Sequence, residues 1–144
     1  MGALCRFIFP HLEHLARLGH DHGVKVTMHC CGAFASLIPT TIEEGIDGLQ
    51  ALQPYGPGME PERLKSDFGW ELVFVGYIDP HRVLIEGTPD SALAKTREIH
   101  AIMKPGGEYV VSTSHDALLE ETPIANVLGR SDVARESSTG LVRG

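Results

Sequence analysis

Four times along the chain a short β-branched or apolar run gives way to a helical pattern, and one helical stretch precedes the first of these units. Residues 8–22 place Ile8, Leu12, Leu15 and Ala16 on one helical face, and Gly23 sits where a left-handed C-cap is wanted. "VKVTMH" (24–29) reads as the first strand, followed by a helix over about 36–44 with Pro39 in its first turn and Gly45 closing it. "IDGLQAL" (46–52) is the second strand, and a short helix runs from Pro61 to Phe68. "ELVFVGYI" (71–78) is almost unbroken in its apolar character, the mark of a third strand buried on both faces. Thr88 as N-cap, Pro89 and Asp90 open a long helix, and "YVVS" (109–112) is the fourth strand. Thr122 and Pro123 repeat the helix-opening chemistry ahead of "IANVL".

Strands alternating with helices imply a parallel sheet with right-handed crossovers. Four βα units are half of an eight-stranded barrel, a fold that needs ~250 residues, against the 144 present here. The expected fold is therefore α/β: the C-terminal half of a TIM (β/α)8 barrel, with about four parallel strands and helices outside. It should occupy residues 1–129, leaving 130–144, which lack an apolar period, as a disordered tail. An open four-stranded half has two bare parallel edges, so a missing N-terminal half barrel or a second copy is expected to complete it.

The net charge of −7, from 12 Lys+Arg against 19 Asp+Glu, and the lack of any basic stripe speak against a nucleic-acid partner. No apolar run approaches the ~20 residues that cross a bilayer, so no membrane partner is expected either. Three cysteines, Cys5, Cys30 and Cys31, make an odd set with two adjacent members, which fits reduced thiols in a cytoplasmic protein.

The chemistry concentrates in "VKVTMHCCGAF" (24–34). Side chains alternate across a strand, so His29 and Cys31 share one side while Cys30 faces the helical layer. This H-x-C pair lies at the C-terminal end of its strand, where barrel enzymes place their active sites. An imidazole and a thiolate suit zinc, and Gly32 lets the backbone turn away. A catalytic zinc takes a third protein ligand. His115, in "VVSTSHD" after the fourth strand, is the leading candidate, and Asp79 after the third strand is the other. Asp79 could equally cap the "PHRVL" segment. In the loop "QPYGPGMEP", Gln53 and Tyr55 face the same rim as substrate-binding candidates. His11, His14, His20 and His22 read as a solvated helix face, and "KPGGE" as a turn. No Ser nucleophile elbow, dinucleotide fingerprint or Walker loop is present.

Together, strand-HxCG, "GIDGLQALQP", "GMEPERLK", "GYIDP" and "SH…TP", in that order over roughly residues 8–129, resemble the C-terminal half of the uroporphyrinogen decarboxylase-like superfamily. That superfamily includes the decarboxylase of porphyrin biosynthesis and the cobalamin-dependent methyltransferases that pass methyl groups to thiols. In the thiol methyltransferases the H-x-C motif supplies two zinc ligands, which the resemblance places at His29 and Cys31. Their third ligand is a Cys near the last strand; here that region has no Cys, and His115 stands close by as ligand or acid/base. The resemblance thus implies zinc-dependent methyl transfer between a methyl-corrinoid and a small-molecule thiol, with a corrinoid protein as possible partner. The decarboxylase branch uses no metal and carries a His near its last strand, as His115 does here. It needs basic residues for its many carboxylates, and Arg82 is the arginine near the rim. A third reading is a truncated, catalytically incomplete binding module.

Overall fold

The computed structural model describes residues 2–138, apart from the side chains of Cys5 and of residues 134–138. Its order is α1 (Gly2–Phe7), α2 (Phe9–Asp21), β1 (Thr27–His29), a 3-10 turn (Ala35–Leu37) running into α3 (Ile38–Glu43), β2 (Gly48–Leu52), α4 (Pro61–Phe68), β3 (Val73–Ile78), a π-helical turn (Pro80–Ile85), α5 (Pro89–Met103), β4 (Tyr109–Thr113) and α6 (Ile124–Ser138). The four strands form one sheet in the order β1-β2-β3-β4, and every pairing is parallel. This is the expected partial (β/α)8 arrangement.

Local chemistry explains most boundaries. Gly23 (φ 72) and Gly45 (φ 84) close α2 and α3 in the left-handed region that other residues avoid. Thr88 caps α5 by accepting from the Ser91 N–H (3.2 Å), while the Ser91 hydroxyl accepts from the Thr88 N–H (2.8 Å). Pro61 and Pro89 fall in the first turns of α4 and α5, where a missing N–H costs nothing.

The register separates two faces. Leu49 pairs with Phe74 and Phe74 with Tyr109; Leu49 and Phe74 are fully buried under the helices, where Ile38, Leu52, Met59, Leu64, Ile78, Ile99 and Met103 complete the core. The other face carries His29, Gln50, Val75 and Val110 in successive register. It is the concave face of the half barrel and remains partly open, with Val110 50% exposed.

Four expectations need correction. The first helix is two: α1 stops at Phe7 and α2 starts at Phe9, and α2 buries Phe9 and Ala16 while Ile8 and Leu15 stay exposed. The third strand is fully buried on the helical face, while Val73 and Val75 on the concave face are only half-buried. Thr122 does not cap α6; its hydroxyl is buried and finds no hydrogen-bond partner among the described residues. The expected tail from 130 is helical through Ser138, with Val133 buried and α6 packed along α5. Residues 139–144 lie outside the described residues.

Candidate functional site

β1 ends at His29, and Cys31 follows after one residue. The period of two brings their side chains together, with Cys31 Sγ 3.2 Å from His29 Nε2. Cys30 packs instead against the core cluster, and burial pushes its thiol above the ordinary range, with the neighbouring Cys31 adding to the rise. Gly32 turns the chain at φ 85 with open space around it.

The second nitrogen of the ring meets a residue absent from the sequence reading. His29 Nδ1 lies 3.0 Å from Asp116 Oδ1, and Gln50 Nε2 donates to the same oxygen at 3.0 Å. A carboxylate only accepts, so this contact selects the ring form with a proton on Nδ1, and Nε2 is the nitrogen that faces Cys31 Sγ. The thiol, imidazole, carboxylate and amide form one chain across the ends of β1, β2 and the loop after β4. No sequence periodicity relates Asp116 to His29, which stand 87 positions apart.

His115 takes no part in that chain. The Thr113 hydroxyl donates to the His115 carbonyl at 2.6 Å, and the His115 Nδ1 sits within reach of the Ala117 N–H (3.3 Å) and carbonyl (3.2 Å). These bonds hold the ring on its own loop, and the next residue faces His29. Among the described residues no group of three His, Cys, Asp or Glu is placed to hold a metal ion, so the set His29, Cys31 and His115 is not assembled. Two ligand atoms on one tetrahedral zinc lie ~3.5 Å apart, given Zn–N and Zn–S bonds of ~2.0 and ~2.3 Å. The His29–Cys31 pair therefore fits two corners of such a site, and the described residues do not supply the third.

The other candidates separate similarly. Asp79 is the N-cap of the π-helical turn, its Oδ1 accepting from the N–H groups of His81 and Arg82, both at 2.8 Å. Tyr55, on the loop after β2, and Arg82, in the π-helical turn after β3, come together: the guanidinium carbon lies 4.2 Å from the Tyr55 ring centroid. Gln53 is half-buried directly after β2. The rim itself is braced by residues the sequence reading missed. The buried Ser114 hydroxyl donates to the Leu52 carbonyl, tying β4 to β2. Buried Asn126 of α6 donates to the Leu84 (2.7 Å) and Gly87 (2.9 Å) carbonyls at the end of the π-helical turn. Ala51 (φ 62) and Tyr77 (φ 70) hold left-handed backbone near the ends of β2 and β3, and the β2–β3 register slips at Ala51. A groove of about 380 Å³ bordered by Lys65, Trp70, Ile102 and Pro105 lies between α4 and α5, in the helical layer.

The description of the uroporphyrinogen decarboxylase (URO-D) family matches residues 3–136. The fold is similar to that of a methyltransferase from Methanosarcina mazei, with a TM-score of 0.73 and 19% sequence identity across 95% of this chain. The chain spans 37% of that structure's length. A comparison with curated proteins finds no match. The parallel β1-β2-β3-β4 order and a family match over nearly the whole length agree, and the chain belongs to the uroporphyrinogen decarboxylase family.

Proposed function

We infer that this chain contributes the thiolate-and-imidazole side of a methyl-transfer site, in which a methyl group passes from a methyl-corrinoid to a small thiol. The supporting observation is the 3.2 Å approach of Cys31 Sγ to His29 Nε2 at the end of β1. In this reading His29 and Cys31 hold zinc, with the remaining ligand outside the described residues. Zinc bound there would lower the pKa of a substrate thiol so that it reacts as thiolate at neutral pH. In such a transfer the substrate sulfur would use its lone pair to bond the methyl carbon, and the electron pair of the broken cobalt–carbon bond would remain with the corrinoid. Arg82, steadied over Tyr55, offers a cation to an anionic group of the substrate, and Gln53 offers an amide at the same rim. His115 is free to act as acid or base only if its loop reorganises. The rest of the barrel, and a corrinoid protein, would complete the site.

The test supplies the rest of the barrel, fused or in trans, together with a methyl-corrinoid and a small thiol, and follows corrinoid demethylation by visible absorbance. Turnover abolished by a chelator and restored by zinc is expected. A second reading, metal-free decarboxylation of a porphyrinogen acid, draws on the Arg82–Tyr55 pair as a carboxylate anchor. Chelator-insensitive loss of CO2 from such an acid, with no demethylation, would replace the first reading with it.

A further inference from the structure

We propose that Asp116 is a positioning residue that fixes the tautomer of His29 and so presets the His29–Cys31 pair as a two-donor clamp for a soft divalent cation. The proposal deepens the methyl-transfer reading and rests on its assignment of His29 and Cys31 as ligands.

The geometry carries it. Asp116 Oδ1 accepts a hydrogen bond from His29 Nδ1 and another from the Gln50 amide, each at 3.0 Å. Gln50 is the register partner of His29 on the neighbouring strand, so the carboxylate is gripped by β1 and β2 together although it belongs to the loop after β4. Gln50, anchored in β2, thereby steadies the loop carboxylate that holds the ring. With Nδ1 protonated, Nε2 presents a lone pair toward Cys31 Sγ at 3.2 Å. A cation held by both side chains would sit between Nε2 and Sγ. Without the carboxylate, an imidazole side chain in water favours the opposite tautomer, which puts a proton on Nε2 and blocks that place. Outer partners of this kind orient the ring of a ligating histidine and raise its basicity.

The experiment labels the full chain with 15N-histidine and reads the His29 ring nitrogens at mildly alkaline pH in wild type, Asp116→Asn and Asp116→Ala. Co2+ titration, followed by sulfur-to-cobalt charge-transfer absorbance, runs in parallel. Wild type should show the Nδ1–H form. Asp116→Ala should shift toward Nε2–H and weaken Co2+ about ten- to a hundred-fold. Asp116→Asn, whose amide oxygen still accepts from Nδ1, should keep most of both properties. Gln50→Ala, which frees the carboxylate on one side, should give an intermediate shift. A His29 tautomer unmoved in Asp116→Ala overturns the proposal, whatever the metal does. If the tautomer shifts as expected and wild type binds no Co2+, the positioning role stands and the zinc reading falls.

Discussion

Cys30 and Cys31 are adjacent in sequence and end in different surroundings, because a strand sends successive side chains to opposite faces. Cys30 meets the core, and Cys31 is exposed beside His29. That much was legible from the H-x-C spacing alone. The third member of the site was not: the expectation pointed to His115, whereas its neighbour Asp116 reaches His29, and one residue of difference on a loop depends on backbone bonds that no pattern encodes. Asp79 shows the same limit from the other side, since its carboxylate serves the turn that follows it. Asp79→Ala should lose about 1 kcal/mol of stability, and Asp79→Asn, which keeps the accepting oxygen, should stay near wild type in both stability and turnover. Thermal unfolding and the methyl-transfer assay check this. A folded but inactive Asp79→Asn would assign that carboxylate to the chemistry instead.

The helices and strands were readable wherever short-range chemistry sets them, as at Pro61, Thr88 and Gly45. They were misread where distant contacts decide. α6 runs past 130 because it packs on α5, and its Asn126 closes the end of the π-helical turn that carries Arg82. Asn126→Ala leaves the Leu84 and Gly87 carbonyls without that donor and should cost about 2 kcal/mol in urea unfolding. At the opposite end of the sheet, Asp47 joins α2 to the approach of β1 through His20 (2.7 Å), Lys25 (2.7 Å) and the Val26 N–H (2.8 Å). Burial alone would raise its carboxyl, but these bonds outweigh it and hold the pKa at about 2, below the ordinary 3.8. A lowered carboxylate pKa stabilises the fold above the unfolded value and loses that contribution as pH falls from about 4 to about 2. Asp47→Asn should therefore cost about 1–2 kcal/mol at neutral pH, a figure reduced for the exposure of Lys25 and His20, with the gap to wild type closing in acid. A gap that stays constant down to about pH 2 would mean the charge of Asp47 contributes nothing.

At the scale of the molecule, alternation of strand and helix made a partial barrel legible from sequence, and the parallel order β1-β2-β3-β4 agrees. The degree of burial on the concave face was not legible, because it depends on what stands opposite. His29, Gln50, Val75 and Val110 line that face, and the chain spans 37% of the similar methyltransferase structure. Under the proposed reading, His29 and Cys31 of this chain would supply two of the zinc ligands. Zinc content of the purified protein, compared among wild type, Cys30→Ser and Cys31→Ser, tests this most directly. Bound zinc in wild type and Cys30→Ser, lost in Cys31→Ser, is expected. Zinc absent from wild type, or retained equally in Cys31→Ser, would contradict it.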